Sequence, residues 1–213
     1  MGANVKKLLK SIVIALSLGL TACLRAPSMD LPSSIEGIAI PVPKLDWQSR
    51  QAQLEDIIDW RLNAAMTAIQ GQQATSASVD WQQHANQYQL TFWGPLGIGS
   101  TKLSGNAQKV TLYTADGHTL VATDAESLLK QALGWQLPVN NLYYWVRGLP
   151  APGVSMVIQL DREQRLVSLQ QQGWTINYLD YMSINHTDLP SKIFMQNHNL
   201  QLRLAISKWQ LNS

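Results

Sequence analysis

The stretch VIQLDREQRLVSLQQQGWTINYLDY, residues 157–181, carries the reading that decides the fold. Trp174, Ile176 and Tyr178 alternate with Thr175 and Asn177, the period of a strand that buries one face. Turn signals at Asp161–Gln164 and at Gln172-Gly173 divide the stretch into three short strands joined as hairpins. The pattern continues in both directions. Upstream, Leu62, Ala64, Met66 and Ala68 alternate with Arg61, Asn63, Ala65, Thr67 and Ile69 as far as Gly71. Ser76–Gln82 and Tyr88–Trp93 follow, parted by His84–Gln87, and then TKLSGN (101–106) and KVTLYTADGHTLVAT (109–123), with turns at Gly105-Asn106 and Asp116-Gly117. Downstream, Lys192–Gln196 and Leu200–Lys208 are joined at Asn197–Asn199. About eleven strands in near-consecutive hairpins predict an antiparallel meander rather than a βαβ succession.

Three segments depart from the two-residue period. Asp46–Ile58 places Leu54, Ile57 and Ile58 among polar residues behind a capping Asp46, which predicts an amphipathic helix. Asp124–Leu133 opens on a capping Asp124 and stops at Gly134. Val139–Val146 follows Pro138 and ends at Gly148-Leu149-Pro150. A curved sheet of this size closes on itself or is covered, and these helices are apolar enough to cover one open side.

The 213 residues fit one such domain, behind an address segment. Residues 1–22 join a cationic start (Lys6, Lys7, Lys10) to the apolar run Ser11–Leu20 and the small Thr21 and Ala22, the layout of a bacterial signal peptide. The run ends at Cys23, the only cysteine in the chain. Leu20-Thr21-Ala22-Cys23 resembles a lipobox, which implies cleavage before Cys23 and its modification by diacylglycerol and palmitate. No other cofactor is expected. Leu24, rather than Asp, follows the cysteine, so the resemblance to lipoprotein sorting signals points to the outer membrane, facing the periplasm. Residues 23–45, with Pro27, Pro32, Pro41 and Pro43, read as a lipidated tether, and 46–213 as the folded body.

Charge and motifs exclude more than they suggest. Only 14% of residues are charged, against roughly 25% in an average soluble protein. Without the signal segment 13 cations face 14 anions, so the body has no basic face for nucleic acid. A thiol nucleophile is excluded beyond Cys23, and no GxSxG elbow occurs. His84, His118, His186 and His198 fall in turns or strand ends without ligand spacing, so neither a metal site nor a catalytic group is expected. Asp161 and Glu163 sit in a hairpin turn, where solvated carboxylates belong.

Gly94-Pro95-Leu96-Gly97-Ile98-Gly99-Ser100-Thr101-Lys102 fails as a phosphate loop, because the lysine stands three residues past Gly99 and the stretch joins two strands. What remains unusual is Leu96 and Ile98 on a Gly-Pro loop tip. Apolar residues there, near a membrane anchor, predict insertion into lipid or contact with a hydrophobic partner. Eight tryptophans spread over nearly every element fit either a packed core or the lining of an apolar cavity.

The lipobox, the loop WGPLG (93–97), the segment TADGHTLVATDAESLLKQALGWQLPVNNLYYWVRGLP (114–150) and the closing strands together resemble the LolB family of outer-membrane lipoprotein receptors. The likeness is most specific in residues 124–150. It implies a mainly β fold with an α lid: an incomplete, strongly curved antiparallel barrel of about eleven strands, covered by three helices and enclosing a hydrophobic cavity. Leu128, Leu129, Leu142 and Trp145 on the helices, with Trp81 and Trp93 on the sheet, are then the expected lining. The resemblance also implies an activity without catalysis. A monomeric receptor takes lipoproteins from the periplasmic chaperone LolA and inserts their acyl chains into outer-membrane lipid without ATP. Family precedent links a leucine at the loop tip to that insertion; Leu96 in Pro95-Leu96-Gly97 matches it, beside the locally variant Ile98. The alternative is an envelope-assembly lipoprotein that only docks a protein partner.

Overall fold

A computed structural model describes residues 46–94 and 99–212. Cys23, the tether and Pro95, Leu96, Gly97 and Ile98 lie outside the described residues. Eleven strands form one antiparallel sheet. They are β1 (Asp59–Gln70), β2 (Gln73–His84), β3 (Gln87–Trp93), β4 (Ser100–Gly105), β5 (Val110–Tyr113), β6 (Thr119–Ala122), β7 (Met156–Leu160), β8 (Leu166–Gln171), β9 (Trp174–Ile184), β10 (Thr187–Gln196) and β11 (Gln201–Leu211). Among the described residues three helices accompany them: α1 (Trp47–Glu55), α2 (Ala125–Leu133) and α3 (Val139–Trp145).

The spatial order is β6-β5-β4-β3-β2-β1-β11-β10-β9-β8-β7, so each strand pairs with its sequence neighbour and the first strand pairs with the last. That seam runs from Trp60 opposite Leu211 to Ile69 opposite Gln201. The sheet is not closed, since β6 and β7 are its two edges. The chain leaves one edge, forms α2 and α3, and returns at the other. A segment tied at both ends to the free edges is well placed to cover the concave face, which two-sided burial of apolar residues requires.

Strand register follows the hydrophobic alternation. Trp60, Leu62, Ala64, Met66 and Ala68 of β1 are buried, while Arg61 and Ala65 between them are exposed. Tight turns fix that register. Gln172 and Gly173 both adopt positive φ, at 50° and 75°, as do Asn185 and His186 at 49° and 66°, the conformations that two-residue hairpins demand.

Local chemistry also sets the helix ends. In α1, Ser49 N donates to Asp46 Oδ1 at 2.8 Å; in α2, Ser127 N donates to Asp124 Oδ1 at 2.7 Å. Gly134 closes α2 at φ 72°, where a side chain would be strained. α1 stops at Glu55, short of the expected Ile58, because Asp59 already pairs with His84 in the sheet. β10 begins at Thr187 rather than at Lys192. The register shift between Pro190 and Lys192 accommodates a proline that has no N–H for the ladder.

Candidate functional site

The helices and the concave sheet face meet in an interior lined by apolar side chains. A void of about 30 Å³ remains there, bounded by Leu62, Val79 and Phe92 from the sheet and by Leu129, Val139 and Leu142 from the lid segment. Room on that scale would admit no more than a water molecule or two, and apolar walls disfavour even those. No acyl chain fits such a space, so occupancy requires the lid and the sheet to part.

Trp81, Leu129 and Leu142 line this void. Leu128 and Trp145 are buried in the same core without bordering it. Trp145 Nε1 donates to Gln171 Oε1 at 2.9 Å and its carbonyl accepts from the Tyr178 hydroxyl at 2.9 Å, which fixes α3 on β8 and β9. Trp93 does not border the void. It follows the inward-facing Phe92 on β3, so the two-residue period turns it to the other face, where it is half-buried. Met66, Leu90, Leu137, Val146, Leu202 and Leu204 also border the void, unforeseen because apolar residues at regular strand spacing look alike wherever they point.

A single buried cation holds the lid segment to α1. Arg147, only 1% exposed, donates through Nη1 to the carbonyls of Leu54 (2.9 Å) and Ile57 (2.7 Å), and through Nε to that of Tyr143 (3.1 Å). Its guanidinium lies 4.0 Å from the centroid of the Tyr143 ring. Burial lowers its pKa from the ordinary arginine value, yet these carbonyls and the ring face favour the cation. Leu54 and Ile57 lie in and just after the last turn of α1, where carbonyls have lone pairs free for further donors; the Leu54 carbonyl also accepts from Ile57 N at 3.3 Å. A second arginine fixes α1 from the other side: Arg50 Nη2 donates to the Asp188 carbonyl at 2.6 Å.

Beneath α3 lies an aromatic cluster centred on Trp60. Its ring stands 5.1 Å from Trp81, 5.2 Å from Trp209 and 6.2 Å from Tyr143, centroid to centroid. Trp81 Nε1 donates to Gln83 Oε1 at 3.2 Å, and Gln83 Nε2 in turn donates to the Ala85 carbonyl at 2.7 Å. Trp209 Nε1 donates to the Pro190 carbonyl at 2.9 Å. Trp60 Nε1 finds no acceptor among the described residues.

Polar groups elsewhere organise the sheet. Asp80, 2% exposed, accepts from Arg61 Nε (2.7 Å), Asn63 Nδ2 (2.6 Å) and Gln82 Nε2 (2.9 Å). Burial alone would raise its pKa; these donors outweigh that and hold it below the ordinary carboxylate value. Asp161 and Arg165 pair at 2.8 Å across the β7–β8 turn, a structural use for that carboxylate. His84 Nδ1 lies 2.8 Å from Asp59 at the end of β2, and His118 lies 3.6 Å from Asp116 in the β5–β6 turn.

The comparisons with known proteins agree with this geometry. The sequence profile of the family "Outer membrane lipoprotein LolB" matches residues 58–209. A protein of Nitrosococcus oceani named outer-membrane lipoprotein LolB is 43% identical over 170 residues, covering 79% of this chain and 85% of its own. Its namesake in Pseudomonas syringae is 35% identical over 199 residues, 93% of this chain and 94% of its own. In fold, the chain resembles the crystal structure of a LolA superfamily protein from Nitrosomonas europaea, with a TM-score of 0.54 at 11% identity over 79% of this chain and 94% of that one. With a lid over an open, inward-apolar sheet and a family match that spans nearly all of that sheet, the chain belongs to the LolB family of outer-membrane lipoproteins.

Proposed function

We propose that the protein is an outer-membrane-anchored receptor that accepts lipoproteins from the periplasmic chaperone LolA and inserts their acyl chains into the membrane without ATP. One observation carries this reading: an apolar interior roofed by a helical segment strung between two unpaired sheet edges. Three acyl chains of about 16 carbons would cost on the order of 40 kcal/mol to expose in water, at about 0.8 kcal/mol per methylene. A chain-sized apolar space removes most of that penalty. Passage between two such spaces is nearly balanced, so no nucleotide is needed to drive it. Family membership and the LolA-like fold support the reading.

Cys23 carries the lipid anchor in this proposal. A single acyl chain holds a protein to a membrane only marginally, whereas a triacylated cysteine holds it firmly. Leu96, with Pro95, Gly97 and Ile98, supplies the contact with the receiving bilayer. Burial of one leucine in an apolar phase contributes roughly 1.5–3 kcal/mol, enough to bias delivery without fixing the protein there.

A two-step transfer assay tests the proposal, with lipoprotein moved from LolA to the receptor and then to sedimented liposomes. Leu96→Glu is expected to receive normally and fail to deliver, because a carboxylate resists entering hydrocarbon. Leu96→Ile keeps the apolar area and is expected to deliver near the normal rate. Failure of the unaltered receptor to take lipoprotein from LolA would overturn the receptor role. Normal delivery by the glutamate variant would overturn the role of the loop.

A further inference from the structure

Three spaces lie in series at the end of the sheet where β2 turns into β3 and β4 turns into β5. Outermost is an open groove of about 780 Å³ whose wall is rich in amide side chains and includes Trp60. A cleft of about 300 Å³ between α3 and those two turns shares Gln83, Tyr88 and Asn106 with the groove. That cleft shares Trp81 and Val139 with the dry interior void. The indole of Trp81 therefore stands between water and the interior. It is held by the bond to Gln83, whose own amide is tied to Ala85 in the turn. Ala85 adopts φ 46°, a conformation that non-glycine residues seldom take.

The second observation is Trp60. It is 1% exposed, it lines the groove, and its Nε1 has no hydrogen-bond acceptor among the described residues. Trp81, Trp145 and Trp209, the other indoles of this core with assigned bonds, all donate. A buried donor left unpaired is unfavourable and calls for a physical reason. An acyl chain entering past Trp81 brings its linkage to this depth: an ester carbonyl, an acceptor with no hydrogen of its own to satisfy.

We propose that this end of the sheet is a glyceride-ester subsite, in which the indole N–H of Trp60 donates to an ester carbonyl of the lipidated cysteine while the acyl chains run inward past Trp81. The inference rests on the receptor reading above and adds to it where the chains enter and what their polar end meets. The amide-lined groove outside then faces the glycerol and the first peptide groups of the cargo, which carry both donors and acceptors.

Full-length lipidated protein, released from a non-ionic detergent, can be examined by native mass spectrometry with two competing ligands. One is a synthetic S-(dipalmitoylglyceryl)cysteinyl peptide; the other is its dihexadecyl ether analogue, equal in chain length but without carbonyls. The wild type is expected to prefer the ester by roughly five- to tenfold, the weight of one satisfied buried donor. Trp60→Phe keeps an aromatic ring and removes the N–H, so the two ligands should then bind about equally. No preference in the wild type overturns the subsite without reference to any variant. A preference that survives Trp60→Phe overturns the role of the indole. A matched pair of ester and ether phosphatidylethanolamines separates cargo from bulk lipid, and a preference confined to that pair would overturn the site as one for lipoproteins. If neither cysteinyl ligand binds at all, the receptor reading itself has failed, a result distinct from equal binding of both.

Discussion

Arg147 and Asp80 solve the same problem with opposite charges. Each is a buried ion held by several hydrogen bonds that reach across elements: carbonyls of Leu54 in α1 and of Ile57 just after it for the arginine, side chains of Arg61 and Asn63 in β1 for the aspartate. Arg147→Met fills similar space but abandons three carbonyl acceptors, so it should cost about 3 kcal/mol in urea unfolding. Arg147→Lys, with one compact cation in place of a fork, should recover only part of that loss. The prediction for Asp80 is a pH dependence. Its folded pKa lies below the ordinary 3.8, so it contributes stability that is present above that value and lost as pH falls through the folded pKa. Asp80→Asn should cost about 2 kcal/mol at neutral pH. It should also flatten the acid limb of the stability curve below about pH 4. Equal acid limbs in the two proteins would show that Asp80 is not held by its donors.

The elements differ in how openly the chain declares them. The caps of α2, Asp124 and Gly134, stand at both ends of an apolar-periodic run, so its limits were legible to the residue. The hairpin turns were equally plain, because Gly173 and Gly117 supply the positive φ that these turns use. β10 was harder to read: Pro190 argues against a strand interior unless a bulge accommodates it. The site was legible only in outline. Arg147 donates to groups 93 and 90 positions upstream, and the Trp60 cluster draws on β1, β2, α3 and β11, contacts that no local period reports. The lid does yield a prediction at this scale. Leu142 of α3 is 6% exposed and borders the void, so Leu142→Glu sets a carboxylate against carbon on every side. Either the group protonates or α3 lifts. Uptake of an acylated peptide should fall, and amide exchange in α3 should quicken if the helix lifts. Unchanged uptake with unchanged folding would remove Leu142 from the binding interior.

At the scale of the whole molecule, an open sheet and an almost filled interior are two halves of one design. A closed barrel would hold its circumference by hydrogen bonds all round, and admitting a chain would mean breaking a ladder. Here β6 and β7 share no ladder, so the sheet can flatten by changing its twist while all ten strand pairings survive. The segment from α2 to α3 bridges those edges and must move when they separate. Loading should therefore loosen one set of elements and spare another. Hydrogen exchange, measured with and without a diacylated cysteinyl peptide, is expected to rise in α2, α3, β6 and β7. In β1, β2, β10 and β11, which lie away from both edges, protection should persist, because their ladders take no part in opening. The acyl chains replace lost contacts inside, so the loosening should be confined to the lid and edges rather than spread through the core. Uniform quickening across β1 and β11 would mean that the chains enter by partial unfolding of the sheet. Uniform protection, lid included, would mean that the roof does not part to admit them.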